Sequence, residues 1–169
     1  MDIIHSWAGG VHAVAAILAL VWGGQVLARR KDGQAHRRLG YAYVVAMSVM
    51  LLAGLPMMEN GISPFHGLSV VSAVTLAGGV VMAIRARHAP TPEIRQGRLY
   101  GHFKFMAWSY AGLVAAGVAQ LSTRVVVAVG GMAGFWWAVV LASLAVCAVA
   151  AVWMKLAEPV LAARYKVQP

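Results

Sequence analysis

Five apolar runs divide the chain, at roughly 3–28, 39–58, 66–86, 101–121 and 130–154, and charged residues collect between them. Each run is close to or above the ~20 residues that carry a helix across a hydrocarbon core ~30 Å thick. Successive spans would alternate in direction. The pattern predicts an all-α integral membrane helical bundle, folded as a single transmembrane domain over 1–169.

Inside this pattern two stretches resemble one another. Trp22-Gly23-Gly24-Gln25-Val26-Leu27-Ala28 runs into Arg29, and Ala77-Gly78-Gly79-Val80-Val81-Met82-Ala83 is followed one residue later by Arg85. A histidine, His12 or His66, precedes each Gly-Gly step by eleven or twelve residues. A basic loop follows each, then a second histidine with a cation and tyrosine nearby: His36-Arg37-Arg38 with Tyr41 and Tyr43, and His102-Phe103-Lys104 with Tyr110. The order predicts a four-helix core of two repeated hairpins, related as in parallel-repeat membrane proteins. The fifth transmembrane helix has no counterpart and is an addition to that core.

Composition agrees with a membrane location. Mean hydropathy is +0.73. Apolar residues make up 61% and charged residues 11%, against about 25% charged in soluble domains. The single cysteine, Cys147, excludes an intrachain disulfide, a CxxC pair and a thiolate cluster.

A net charge of +9 would suit nucleic acid, but its distribution has a topological explanation. Arg29, Arg30, Lys31, Arg37 and Arg38 fill the first loop. Arg85, Arg87, Arg95 and Arg98 fill the third, and Lys155, Arg164 and Lys166 lie in the tail. The second loop has no Lys or Arg and the fourth only Arg124. Cations that alternate loop by loop place the N-terminus outside and the C-terminus inside, with five spans. No nucleic-acid partner is expected. The first run carries Asp2 before it and Arg29-Arg30-Lys31 after it, the polarity of a retained helix rather than a cleaved signal.

The candidate chemistry lies in the histidines. If the spans alternate, His12 and His66 share the outer face, and His36 and His102 the inner one. At ~1.5 Å per residue, His12 is ~26 Å from Arg29 and His66 ~28 Å from Arg85, so the outer pair is nearly level. His36 and His102 each stand at or just before the start of an apolar run, level at the inner surface. Imidazole is the commonest metal ligand among side chains. Paired imidazoles at two depths are one way for a bundle to hold two haems.

Two family resemblances attach to these residues. His36-Arg37-Arg38-Leu39-Gly40-Tyr41-Ala42-Tyr43 and His102-Phe103-Lys104-Phe105-Met106-Ala107-Trp108-Ser109-Tyr110 resemble the two signatures of a bacterial family of small integral membrane proteins without an assigned function. The stretch from His12 to Gly24-Gln25 resembles that family's opening pattern. The chain departs from the family at Phe103 and Trp108, where arginine is usual. The order of histidines is also similar to that of the cytochrome b561 family, in which four successive helices each give a haem ligand. That second resemblance implies an outer haem b on His12 and His66 and an inner one on His36 and His102. Two imidazole ligands would favour electron transfer. By their chemistry Arg37, Arg38 and Lys104 would pair with the inner propionates, Tyr41, Tyr43, Trp108 and Tyr110 would pack on the ring or bond its edge, and the glycine pairs, Gly78 and Gly79 among them, would admit a flat macrocycle.

Other readings stay open. Interfacial histidines are satisfied by water and headgroups. Aromatic residues at span ends form an interfacial belt, and paired glycines mark close helix contacts. His5, seven residues before His12, would join His12 and His66 in an outer zinc or copper site. A third possibility is an accessory or assembly subunit, without cofactor, of a larger membrane complex. Beyond the lipid bilayer, the partners these readings call for are a membrane redox protein, such a complex, or a quinone. No acidic residue lies within an apolar run, against a carboxylate-based transporter. No nucleophile–base pair or phosphate loop marks a hydrolase or kinase.

Overall fold

The structure, a computed structural model, describes residues 7–29, 33–56 and 64–165. Among these residues there is no strand. Four helical elements follow one another: α1 (Trp7–Ala28), α2 (Gln34–Gly54), α3 (Pro64–Arg87) and α4 (Pro92–Tyr165). The chain divides into two compact units, Met1–Ser69 and Val70–Pro169.

In the first unit α1 and α2 pack as an antiparallel hairpin. Their connection ends at Gly33, whose φ of 100° is reached at little cost only without a side chain. Buried Ala15, Ala19 and Gly23 recur every four residues along α1. Such a stripe of small residues lets helix backbones approach closely. On α2 the buried positions are Tyr43, Ala46, Met47 and Met50. An open groove of about 560 Å³ runs along the pair, bounded by Trp7 and Trp22 and floored by Val11, Val14, Val45 and Val49.

In the second unit α3 meets the first part of α4. Thr91 caps α4: its Oγ1 accepts from the Ile94 N–H at 3.4 Å and its carbonyl from the Arg95 N–H at 3.0 Å. Pro92 follows at the first helical position, where its missing N–H costs nothing, and Glu93 favours the positive helix end. These three residues start the helix about nine residues before the apolar run expected at 101–121.

Glycines on each helix receive side chains from the other. A methyl group added at Gly78 would lie 2.9 Å from the Phe105 ring, one at Gly79 2.5 Å from Met106 Sδ, and one at Gly112 2.7 Å from Ser72 Oγ. The contacts descend α3 as they ascend α4, so the two helices are antiparallel. Gly78 and Gly79 therefore form a close helix contact, which leaves no room there for a flat cofactor.

The helical backbone of α4 continues through both of the last two apolar runs, yet the chain reverses within it. A methyl group added at Gly134 would lie 2.8 Å from Val126 Cγ1, whereas eight residues of straight helix span ~12 Å. Farther along, Phe103 and Trp153 have ring centroids 6.2 Å apart. The limbs Pro92–Thr123 and Gly134–Val160 thus lie side by side.

Among the described residues, four helices are long and apolar enough to cross a membrane: Trp7–Ala28, Phe65–Arg87, Pro92–Thr123 and Gly134–Val160. Only 6% of the apolar window of the last is buried, as suits a helix added to the outside of a core and facing lipid. α2 is not among the four. It has 21 residues, but His36, Arg37 and Arg38 occupy its first turns, and about 16 residues, ~24 Å of helix, follow them.

Candidate functional site

The four histidines occupy two kinds of position. His36 and His66 lie two residues into α2 and α3 and are half-buried. His12 and His102 lie inside their helices, and each reaches across to the backbone of a neighbour. His12 Nδ1 is 2.8 Å from the Met50 carbonyl oxygen, and His102 Nδ1 is 2.7 Å from that of Gly79.

A carbonyl oxygen only accepts, so Nδ1–H is the donor in both bonds. In the neutral ring this leaves the lone pair on Nε2. A hydrogen bond on the second ring nitrogen is the usual way a protein fixes the orientation and tautomer of a ligating histidine. His12 and His102 thus have the donor chemistry that haem iron requires.

Local sequence permits both bonds. The Met50 carbonyl belongs to a helix, and residue 54, four positions on, overhangs it. That residue is Gly54, and a methyl group added there would lie 3.4 Å from His12 Nδ1. The small residue thus leaves the ring its place. At the second bond the acceptor is itself a glycine of the close contact, and Ala83 stands four positions on.

The position of His102 differs from the expectation that it stands at a helix start. It is the eleventh residue of α4 and level with Gly79, ~9 Å along α3 from Arg85. The cap at Thr91 moves the helix start upstream and places the histidine inside the hairpin. His12 is similarly ~8 Å from the start of α1. His36 is a helix-start residue, as expected. His12 bonds from the first helix of its hairpin to the second, His102 from the second to the first.

The cations and aromatics fall in several environments. Lys104 Nζ lies 3.0 Å from Glu158 Oε1, which also accepts from the Tyr100 hydroxyl at 2.6 Å. The ammonium sits 4.6 Å from the centroid of the Tyr100 ring. This cluster joins the two limbs of α4, so Lys104 has a carboxylate partner within the protein, and Glu158 belongs to the last membrane-length helix. Sequence reading missed the pairing because the partners are 54 residues apart. Arg37 and Arg38 are exposed on α2. Tyr41 is 58% exposed and Tyr43 is 2% exposed, so of these two neighbours only Tyr43 is a core residue. Tyr110 is half-buried.

His12 and His66 belong to the first unit and His102 to the second. Among the described residues, no three His, Cys, Asp or Glu side chains converge as a metal site. His5, the further ligand of the outer zinc or copper reading, lies outside the described residues. His88 is exposed and donates from Nδ1 to the Ile84 carbonyl at 3.1 Å.

A family model described as "Predicted membrane protein (DUF2306)" matches residues 9–158. The chain belongs to this family of membrane proteins without an assigned function, the kind of family that the His36 and His102 signatures resemble. No curated protein and no solved structure matches the chain.

Proposed function

We propose that this member of the family is a b-type haem protein that carries electrons within or across a bacterial inner membrane. One observation supports the reading above the others. Both interior histidines donate Nδ1–H to a helix carbonyl and keep Nε2 for a ligand. An ionisable side chain among membrane helices is costly and commonly functional. In each of these two the bond that reduces that cost also sets the ring for ligation.

In the first unit His12 and His66 are the proposed pair. Met50 and Gly54 hold the His12 ring, the former as acceptor and the latter by leaving space. His102 is the proposed ligand of the second unit, oriented by Gly79. A haem with two imidazole ligands supplies one-electron transfer without an open iron position for oxygen. The protein's part is to fix the imidazoles and surround them with apolar helices that exclude water. Arg37 and Arg38, exposed on α2, are suited to carboxylates at the membrane surface. A redox partner in the membrane, or a quinone, would exchange electrons with it.

The loop charges support an outside N-terminus and an inside C-terminus, with α2 as a crossing helix. In a Cys147→Ser background, a membrane-impermeant thiol reagent added outside should label Ser63→Cys and spare Gly33→Cys. The opposite pattern would reverse the orientation.

Haem is tested by the pyridine haemochrome content of protein purified in mild detergent. Close to stoichiometric haem b is expected. Zinc or copper in its place would support the outer metal site. A colourless, metal-free protein that co-purifies with a larger complex would support an accessory subunit.

A further inference from the structure

Three helix ends of the second unit come together. Arg98 Nη1 donates to the Arg85 carbonyl at 2.6 Å, joining the start of α4 to the end of α3. Tyr100 and Lys104 both bond Glu158, which brings the second limb of α4 to the same end. This end carries Arg85, Arg87, Arg95, Arg98 and Lys155 in addition to Lys104. Two acids accompany them: Glu158, already engaged by Lys104, and Glu93.

Arg85, Arg87, Arg95 and Lys155 are exposed. The apolar, membrane-length stretches of α3 and of both α4 limbs have their ends here, which sets the cations at the height of lipid phosphates. Apolar side chains border them on the membrane side: Val81 and Ile84 are 42% and 49% exposed, and Leu156 74%. Cations at phosphate height above an apolar flank complement an amphiphile with an anionic head. Guanidinium groups match phosphate oxygens in charge and in geometry.

We propose that this basic end of the second unit is a binding surface for the phosphodiester headgroups of anionic phospholipids. The charge excess selects anionic over zwitterionic lipid. The neighbouring valine, isoleucine and leucine side chains receive the acyl chains.

The test uses the full chain reconstituted in phosphatidylcholine vesicles with a trace of spin-labelled phosphatidylglycerol or spin-labelled phosphatidylcholine. The motionally restricted fraction of each label reports association with the protein. The unaltered chain should prefer phosphatidylglycerol by about threefold, and raising the salt to ~1 M should weaken that preference. The triple variant Arg85→Gln, Arg87→Gln, Arg95→Gln should lose most of it, while Arg37→Gln with Arg38→Gln in the first unit should keep most of it. Should the triple variant lose helicity, Arg85→Gln and Arg95→Gln measured singly should each lose part of the preference. Equal association of the two lipids, or a preference unchanged by the arginine variants, would overturn the proposal. So would its abolition by inorganic phosphate at constant ionic strength, which would make the ligand a soluble anion.

Discussion

The two hairpins use similar residues differently. In the first, a histidine on α1 reaches the backbone of α2, and Gly54 serves by leaving space beside its ring. That hairpin also carries an apolar groove bounded by two tryptophans. In the second, Gly78 and Gly79 are covered by Phe105 and Met106. The histidine there comes from α4, and its acceptor is one of those same glycines. A glycine in a membrane helix can thus make room for a neighbouring helix or for a histidine ring, and only the residue facing it shows which.

The comparison is most exposed to substitution at the filled glycines. Gly78→Ala together with Gly79→Ala should destabilise the protein by about 1–3 kcal/mol, because the Phe105 ring and Met106 must shift in a packed contact. The readout is thermal unfolding in detergent. A neutral result would mean that α3 and α4 are less tightly packed than these distances require.

His12→Phe tests the first hairpin. It removes the bond to Met50, whose carbonyl keeps its own helix partner, so a loss of about 1 kcal/mol is expected. An unchanged melting temperature would separate the histidine from the hairpin's stability.

Gly10→Ala should act in the opposite direction to the glycine pair. Nothing lies within 4 Å of a methyl group added there, and alanine in place of this glycine, in the first turn of α1, gains about 0.5 kcal/mol. Destabilisation would show that another surface covers this side of α1.

The smallest effect belongs to the Lys104–Glu158 pair. Both side chains are 48% exposed, so solvent screens the pair and leaves it the weakest of these contributions. A double-mutant cycle of Lys104→Ala and Glu158→Ala should give only a small coupling, reduced in high salt.

The sequence carries different parts of this picture with different clarity. The run at 66–86 agrees with α3 at Pro64–Arg87, because hydrophobic length alone defines a membrane helix. The start of α4 was legible in another signal, Thr91-Pro92-Glu93, a cap that outranks the apolar run beginning nine residues later. The reversal between Val126 and Gly134 falls at the gap between the runs at 101–121 and 130–154, so the interruption of the apolar pattern around Arg124 marked it although the helical backbone continues. The histidines were conspicuous, but their acceptors were not. A helix that is apolar on all sides gives no facing direction, and the carbonyl groups of Met50 and Gly79 carry no residue-type signal at all.

The central claim is that an interior histidine, with Nδ1 held by a carbonyl, presents Nε2 to haem iron. Its most direct test is the reduced-minus-oxidised optical spectrum of His12→Ala beside that of His66→Ala, with His88→Ala as the exposed control. The account predicts low-spin b-type bands in the unaltered protein. Both substitutions should produce the same change, either a shift to high spin or loss of haem, while His88→Ala leaves the bands intact. Haem bands unchanged in His12→Ala, or the absence of haem from the unaltered protein, would contradict the account.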